Sequence, residues 1–296
     1  VRSTRHGLGL AMLGVLAFSL TLPVTKIALQ GYGPWTVAFG RTAIAGLVAL
    51  VVLRLARAPR PTRAQLPALL ATTGGVVIGF PLLTTLALQS TSAADAAVVI
   101  AALPIATAVL AVLRTGERMG GLFWACSATG TLAVAAFAVT RGGGGGASLP
   151  ATLMLLGAVL AAAVGYNEGG RLAGQVPGWV VISWALAVAV PLTGPLLVVS
   201  LAAGPSQPSW SASAALLFLA LVPQYLGFFA FYAGLARAGV ARASQTQLLQ
   251  PLLTLAWSVL LIGETVSGPT LLAALVVVAS VAGTQRARQV APPPGD

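Results

Sequence analysis

Residues 103–121, LPIATAVLAVLRTGERMGG, and residues 250–268, QPLLTLAWSVLLIGETVSG, carry the same landmarks in the same register. Pro104 and Pro251, Gly116 and Gly263, Glu117 and Glu264, and Gly121 and Gly268 are each 147 residues apart, and Thr107 and Thr254 share that offset. Chance produces one such match easily, but not four in register. Self-similarity at a fixed offset marks an internal repeat. In each copy a long apolar run separates the proline from the Gly-Glu pair. Each copy therefore reads as a helix closed by a turn.

Outward from these segments the whole chain divides into apolar runs. A helix needs about 20 mainly apolar residues to cross roughly 30 Å of hydrocarbon. By that rule spans fall near 8–29, 34–55, 66–88, 94–114, 119–139, 149–171, 177–201, 213–236, 240–262 and 268–286. No run alternates with period two, which argues against a transmembrane β-barrel. Each half then holds five spans, and an odd number inverts the second half relative to the first. The predicted fold is an all-α integral membrane protein of ten transmembrane helices in two inverted five-helix repeats. The first repeat is 1–141 and the second 149–287. A Gly-rich linker, 142–148, joins them, since Gly142 to Gly146 are five consecutive glycines and such a run is flexible. A disordered tail is expected over 288–296.

Composition agrees. Hydrophobic residues make up 57% of the 296 and charged residues 7%, against about 25% charged in soluble domains. A soluble fold of this size has too few charges to cover its surface. The net charge is +11, but it comes from arginines scattered between apolar runs, without the basic face that nucleic-acid binding requires. Arg2, Arg5 and His6 precede the first apolar run, yet no small-residue cleavage site closes it, so it reads as an uncleaved helix. Cys126 is the only cysteine and His6 the only histidine, which leaves no disulfide and no metal-ligand cluster.

Arginine placement orients the spans. With the N-terminus in the cytoplasm, inner connections hold Arg2, Arg5, Arg54, Arg57, Arg60, Arg63, Arg114, Arg118, Arg171, Arg237, Arg242, Arg286 and Arg288, while outer connections hold only Arg141. The positive-inside rule then supports an even span count and cytoplasmic N- and C-termini. The predicted location is a bacterial inner membrane, crossed many times.

Proline removes the donor that the carbonyl four residues earlier would use. Pro104 and Pro251 lie near the middle of their spans and free the carbonyls of Ile100 and Gln247. These helix breaks read as cavity lining, or else as simple kinks. Ser244, Gln247, Pro251, Thr254 and Ser258 follow steps of three and four and share a face, with Gln250 beside it. The stripe reads as a solvated pathway, or else as interhelical hydrogen bonding. In the eighth span Gln224, Phe228, Phe231 and Tyr232 form a connected face, with Tyr225 and Phe229 adjacent. Together with Tyr166 they suit an amphipathic pocket, although each ring alone fits ordinary core packing.

Charges inside spans are functional candidates. Lys26 lies about one turn from the outer end of its span, where it either snorkels or gates. Arg41, about two turns in, reads as an outer gate or carboxylate contact, or as half of an ion pair with Asp95 or Glu264. Glu168 is either a protonatable coupling group or the partner of Arg171, three residues on. Glu117 and Glu264 read as helix-start acids favoured by the dipole of the following span.

The segment Ser19-Leu20-Thr21-Leu22-Pro23-Val24-Thr25-Lys26, followed by Arg41 in the next span, and the two Pro–Gly-Glu segments resemble the drug/metabolite transporter superfamily, in its ten-helix EamA-type branch. The chain departs from that pattern at Phe18-Ser19, where the family often has Trp-Gly, and it has no strong copy of the Lys26/Arg41 pair in its second half. The resemblance implies a metabolite exporter, commonly of amino acids or related compounds, with no bound cofactor, and adds Ser19 to the candidate substrate-binding residues. The predicted function is secondary transport by alternating access about a site between the halves. The expected partners are a small-molecule substrate and the lipid bilayer, with the protein acting as a monomer. A passive channel and a non-transporting scaffold are the rivals. A membrane enzyme is disfavoured because no Ser-His-Asp or Cys-His arrangement is available.

Overall fold

Leucine and alanine dominate the apolar runs, and both favour helix. The computed structural model describes residues 2–115, 119–142, 148–204, 207–238 and 244–290, and among these there is no strand. Helices α1 (Arg2–Ser19) and α2 (Thr21–Ala28) form a bent first span, followed by α3 (Pro34–Leu55). Helices α4 (Leu66–Thr72) and α5 (Phe80–Ala87) flank a π-helical stretch, Thr73–Gly79. Then come α6 (Ala93–Ile100), α7 (Leu103–Thr115), α8 (Gly121–Gly142), α9 (Leu149–Ala173) and α10 (Gly178–Ala203). Helices α11 (Trp210–Leu221) and α12 (Gly227–Ala238) flank a second π-helical stretch, Val222–Leu226. A 3-10 helix, Ser244–Leu249, leads into α13 (Gln250–Ile262), and α14 (Gly268–Val290) closes the described chain. Ser92, Ser148 and Ser209 begin α6, α9 and α11 by accepting the N–H three residues on, as N-cap serines do.

Among the described residues, eight helical segments are long and apolar enough to cross a membrane. The segments expected as the fifth and ninth spans contain shorter apolar helices, Gly121–Phe137 and Thr246–Ile262. In the ninth, Pro251 holds the start of α13 and a 3-10 turn replaces the α-helix before it. Leu47, Val51 and Leu55, spaced four apart on α3, are 56 to 80% exposed. An apolar stripe this exposed suits lipid, and the chain is a multi-pass membrane protein. Gly142 and residues 288–290 are helical rather than linker and tail. The remaining glycines of the run and residues 291–296 lie outside the described residues, as does Glu117.

The helices pair antiparallel. On α1 and α12, Gly7 meets Arg237 and Ala238 while Gly14 meets Gly227 and Phe231. On α3 and α10, Thr36 bonds Ser200 while Gly46 meets Leu186. On α8 and α14, Cys126 meets Gly283 while Gly130 meets Ser280. Helix α9 lies along α4, the first π-helical stretch and α5, with Gly169 near Thr72 and Gly157 near Leu83. In every pair one numbering rises as the other falls. A shift of 147 residues takes the starts of α5, α7 and α8 (Phe80, Leu103 and Gly121) onto those of α12, α13 and α14 (Gly227, Gln250 and Gly268).

Small residues let these backbones approach closely. A Cβ on Gly75 would overlap the Ala161 carbonyl oxygen and lie 2.9 Å from the Gly165 nitrogen. Both clashes are with backbone, which has little freedom to yield. Gly75→Val is therefore expected to destabilise the fold by about 3 kcal/mol, the upper part of the overpacking range. Gly74→Val is the control, since that position is open. Melting of both in detergent tests this, and equal melting temperatures would contradict the packing.

Candidate functional site

Proline-freed carbonyls organise the centre. Pro23 leaves the Ser19 carbonyl without its helical donor. Thr254 Oγ1 donates to that oxygen at 3.0 Å, and Trp257 Nε1 donates to Ser19 Oγ at 3.0 Å. Pro81 frees the Val77 carbonyl in the same way, which accepts from Thr42 Oγ1 at 3.0 Å and Gln224 Nε2 at 3.2 Å. Val77 and Gln224 are themselves 147 residues apart, one in each π-helical stretch. Ser19, Thr254 and Gln224 are buried, and each holds helices together through these bonds. Ser258 Oγ donates back to Thr254 O at 2.9 Å. The polar stripe of the ninth span thus serves interhelical hydrogen bonding at Thr254 and backbone bonding at Ser258. The Ser244 side chain lies outside the described residues.

The aromatic candidates come together. The Phe228 ring packs, tilted, near Tyr166 (6.0 Å between centroids), Tyr232 (5.8 Å) and Phe18 (4.9 Å). Tyr166 and Tyr232 are only half-buried, and their hydroxyls make no hydrogen bond among the described residues. Gln247 and Gln250 are also half-buried, on the 3-10 helix and the start of α13, which both pack against α1. Their side-chain amides have no partner among the described residues. Pro104 and Pro251 occupy the first turns of α7 and α13, each preceded by a break in α-helical structure.

Arg41 is 2% exposed, and its Nε and Nη1 make no hydrogen bond. Neither expected acid pairs with it. Asp95 Oδ1 accepts from Thr270 Oγ1 at 2.9 Å. Glu264 Oε1 and Oε2 accept from the Ala93 and Ala94 N–H groups, both at 2.9 Å. Glu264 was expected to face the dipole of its following span but caps α6 in the other half instead. Gly263 explains the difference. Its positive φ of 66° lets the chain turn back, with Glu264 N–H on the Ser258 carbonyl at 3.1 Å, and the carboxylate leaves α13 sideways. Lys26, half-buried, lies within electrostatic reach of Glu264.

At the opposite end Glu168 is buried and ion-paired with both Arg171 (2.9 Å) and Arg114. Beside it Asn167 Nδ2 donates to Thr107 O at 3.1 Å, tying α9 to α7. Glu168 thus stands in the ion pair anticipated with Arg171, and a second arginine joins it. Glu168→Gln is expected to lower stability by about 1.5–3 kcal/mol, the range for hydrogen bonds to charged groups, and to leave substrate exchange at every pH unchanged. Melting and pH-dependent exchange check this, and loss of pH dependence alone would assign Glu168 to coupling. Among the described residues no group of acids, histidines or cysteines is arranged to hold a metal ion.

Residues 5–139 and 149–285 each match the EamA-like transporter family. The chain belongs to this family. EamA membership agrees with the resemblance seen in the Pro–Gly-Glu segments and in the first two spans. Among similar proteins, the "Uncharacterized transporter YdeK" of Bacillus subtilis (strain 168) is 40% identical over 291 residues, 97% of this chain and 99% of that one. A "Probable terminal-alkyne amino-acid exporter" of Streptantibioticus cattleyicolor is 25% identical over 256 residues, 86% of this chain and 84% of that one. One solved crystal structure matches with a TM-score of 0.67 at 20% identity, covering 94% of this chain and 97% of its own. At that identity it speaks for the fold alone. Three residues that sequence reasoning passed over shape this site: Thr42, Arg114 and Trp257. For Thr42 and Trp257 the signal is the proline-freed carbonyl or hydroxyl segment each one meets. For Arg114 there is none, because its pairing with Glu168 depends on how α7 packs against α9.

Proposed function

We propose that this EamA-family protein is a secondary transporter that exports amino acids or related carboxylates by alternating access. It does so with ten transmembrane helices in two inverted five-helix halves, 1–141 and 149–287, in a bacterial inner membrane with both termini cytoplasmic. One observation carries the reading. Segments 147 residues apart pack on one another antiparallel, as α3 does on α10 and α8 on α14. Two equivalent halves related by inversion supply two equivalent closures, one at each face. The double family match and the Val77–Gln224 bond support the same arrangement.

The substrate class rests on Arg41. A buried guanidinium with unfilled donors is costly, and a carboxylate is a fitting anion for its planar fork. The amino-acid exporter among the relatives supports this choice. Tyr166, Phe228, Tyr232, Gln247 and Gln250 supply the apolar walls and polar groups around the side chain of the substrate. Lys26 and Glu264 belong to the outer closure. Counterflow tests the proposal in proteoliposomes loaded with unlabelled amino acids and offered labelled ones. Saturable, cross-competed exchange is expected. Linear, non-competed flux would favour a channel, and absence of exchange in folded protein would remove the amino-acid assignment.

A further inference from the structure

The end of α3 and its connection to α4 carry Arg54, Arg57, Arg60 and Arg63 with no acid among them. All four are exposed. Glu168 pairs with Arg114 and Arg171, whereas these four arginines have no ion-pair partner among the described residues. Arg57 is the only non-glycine described residue with positive φ, 49°. It ends α3 in a left-handed turn, with Ala58 N–H on the Leu53 carbonyl at 3.0 Å. Glycine takes that position without steric penalty. Strain held by an arginine where glycine would serve points to a use for its charge.

The connection is also anchored. Trp184 Nε1 donates to Pro59 O at 2.8 Å, Thr62 N–H to Gln65 Oε1 at 3.0 Å, and Gln65 Nε2 to Gln175 Oε1 at 3.1 Å. Beneath it lies a shallow, open surface groove, where Arg60 meets apolar walls that include Leu69, Leu172, Val176, Val180 and Trp184. We propose that this groove binds an anionic phospholipid, with the headgroup phosphate on the arginines and the upper part of an acyl chain against the apolar walls. Uncompensated cations select an anion, and the walls select a tail. Arginine clusters next to transmembrane helices attract anionic headgroups. The proposal requires only that the chain is a membrane protein.

The test melts the purified full-length protein in neutral detergent with dioctanoyl-phosphatidylglycerol, dioctanoyl-phosphatidylcholine or inorganic phosphate. Bound lipid is counted by native mass spectrometry. Phosphatidylglycerol is expected to raise the melting temperature saturably and to remain bound, unlike phosphatidylcholine or phosphate. Arg60→Gln, at an exposed position, keeps its lipid-free melting temperature and binds phosphatidylglycerol about fivefold more weakly. Arg57→Gly supplies a second arm, because it raises the lipid-free melting temperature by relieving the backbone yet still blunts the lipid response. Equal stabilisation by phosphatidylcholine, equal stabilisation by phosphate alone, or an unchanged lipid response in both variants overturns the proposal. No arm measures transport, so its failure leaves the transport reading standing.

Discussion

Arg41→Met is expected to melt at a higher temperature than the unaltered protein and to lose exchange of carboxylate substrates. Both effects have one cause. The guanidinium is buried, and its Nε and Nη1 have no acceptor. Replacing buried charge with an apolar side chain of similar length often stabilises, by about 1–4 kcal/mol. The protein keeps the charge despite that cost, which makes sense if another state of the cycle supplies the anion. A hydrogen bond to a charged group contributes about 1.5–3 kcal/mol, so exchange should fall roughly 10- to 100-fold. Arg41→Lys separates charge from geometry. It should retain part of the exchange but lose the bidentate fit. A less stable Arg41→Met protein with intact exchange would make Arg41 a structural residue and remove the carboxylate assignment.

Glu264→Ala is expected to weaken the closure at the outer end of the proposed topology. The carboxylate bridges the halves, leaving the turn after α13 and holding the Ala93 and Ala94 N–H groups at the start of α6. Both bonds are charge-assisted and aligned with the α6 dipole. Their loss should cost roughly 3 kcal/mol after non-additivity. Glu264→Gln keeps one acceptor oxygen and loses the charge, so its effect should be intermediate. The readout is maleimide labelling of a cysteine at Ser92, which should speed up in Glu264→Ala. Unchanged labelling alongside a lowered melting temperature would mean that the clamp stabilises the fold without gating it. Closures of this kind work by biasing one packing against another.

The membrane fold was legible because lipid demands long apolar helices, and such runs stand out along the chain. The repeat was legible because its anchors perform backbone work that few residues can do. Pro104 and Pro251 both start helices after a break, and Gly263 takes a left-handed turn. The partner of Glu264 was not legible, since which helix start it meets depends on how α6 packs against α13. The roles of Thr254 and Gln224 were half legible. Counting the carbonyls freed by Pro23 and Pro81 names Ser19 and Val77 as groups in need of donors, but not the donors themselves. The aromatic group around Phe228 followed from helical spacing on α12, whereas the approach of Tyr166 from α9 is a matter of tertiary packing.

Ala64 and Ser211 are exposed, 147 residues apart, and just outside equivalent ends of their helices or in the first turn. In the proposed topology, inverted halves would put them on opposite faces of the membrane. Single cysteines at these positions, Ala64→Cys and Ser211→Cys, are made in a Cys126→Ser background, which removes the one native thiol. Intact cells are then treated with a membrane-impermeant maleimide. The account predicts that the cysteine at 211 is labelled from outside and the cysteine at 64 only after the cells are opened. Labelling of both from the same face would contradict the inverted halves, and with them the alternating-access mechanism.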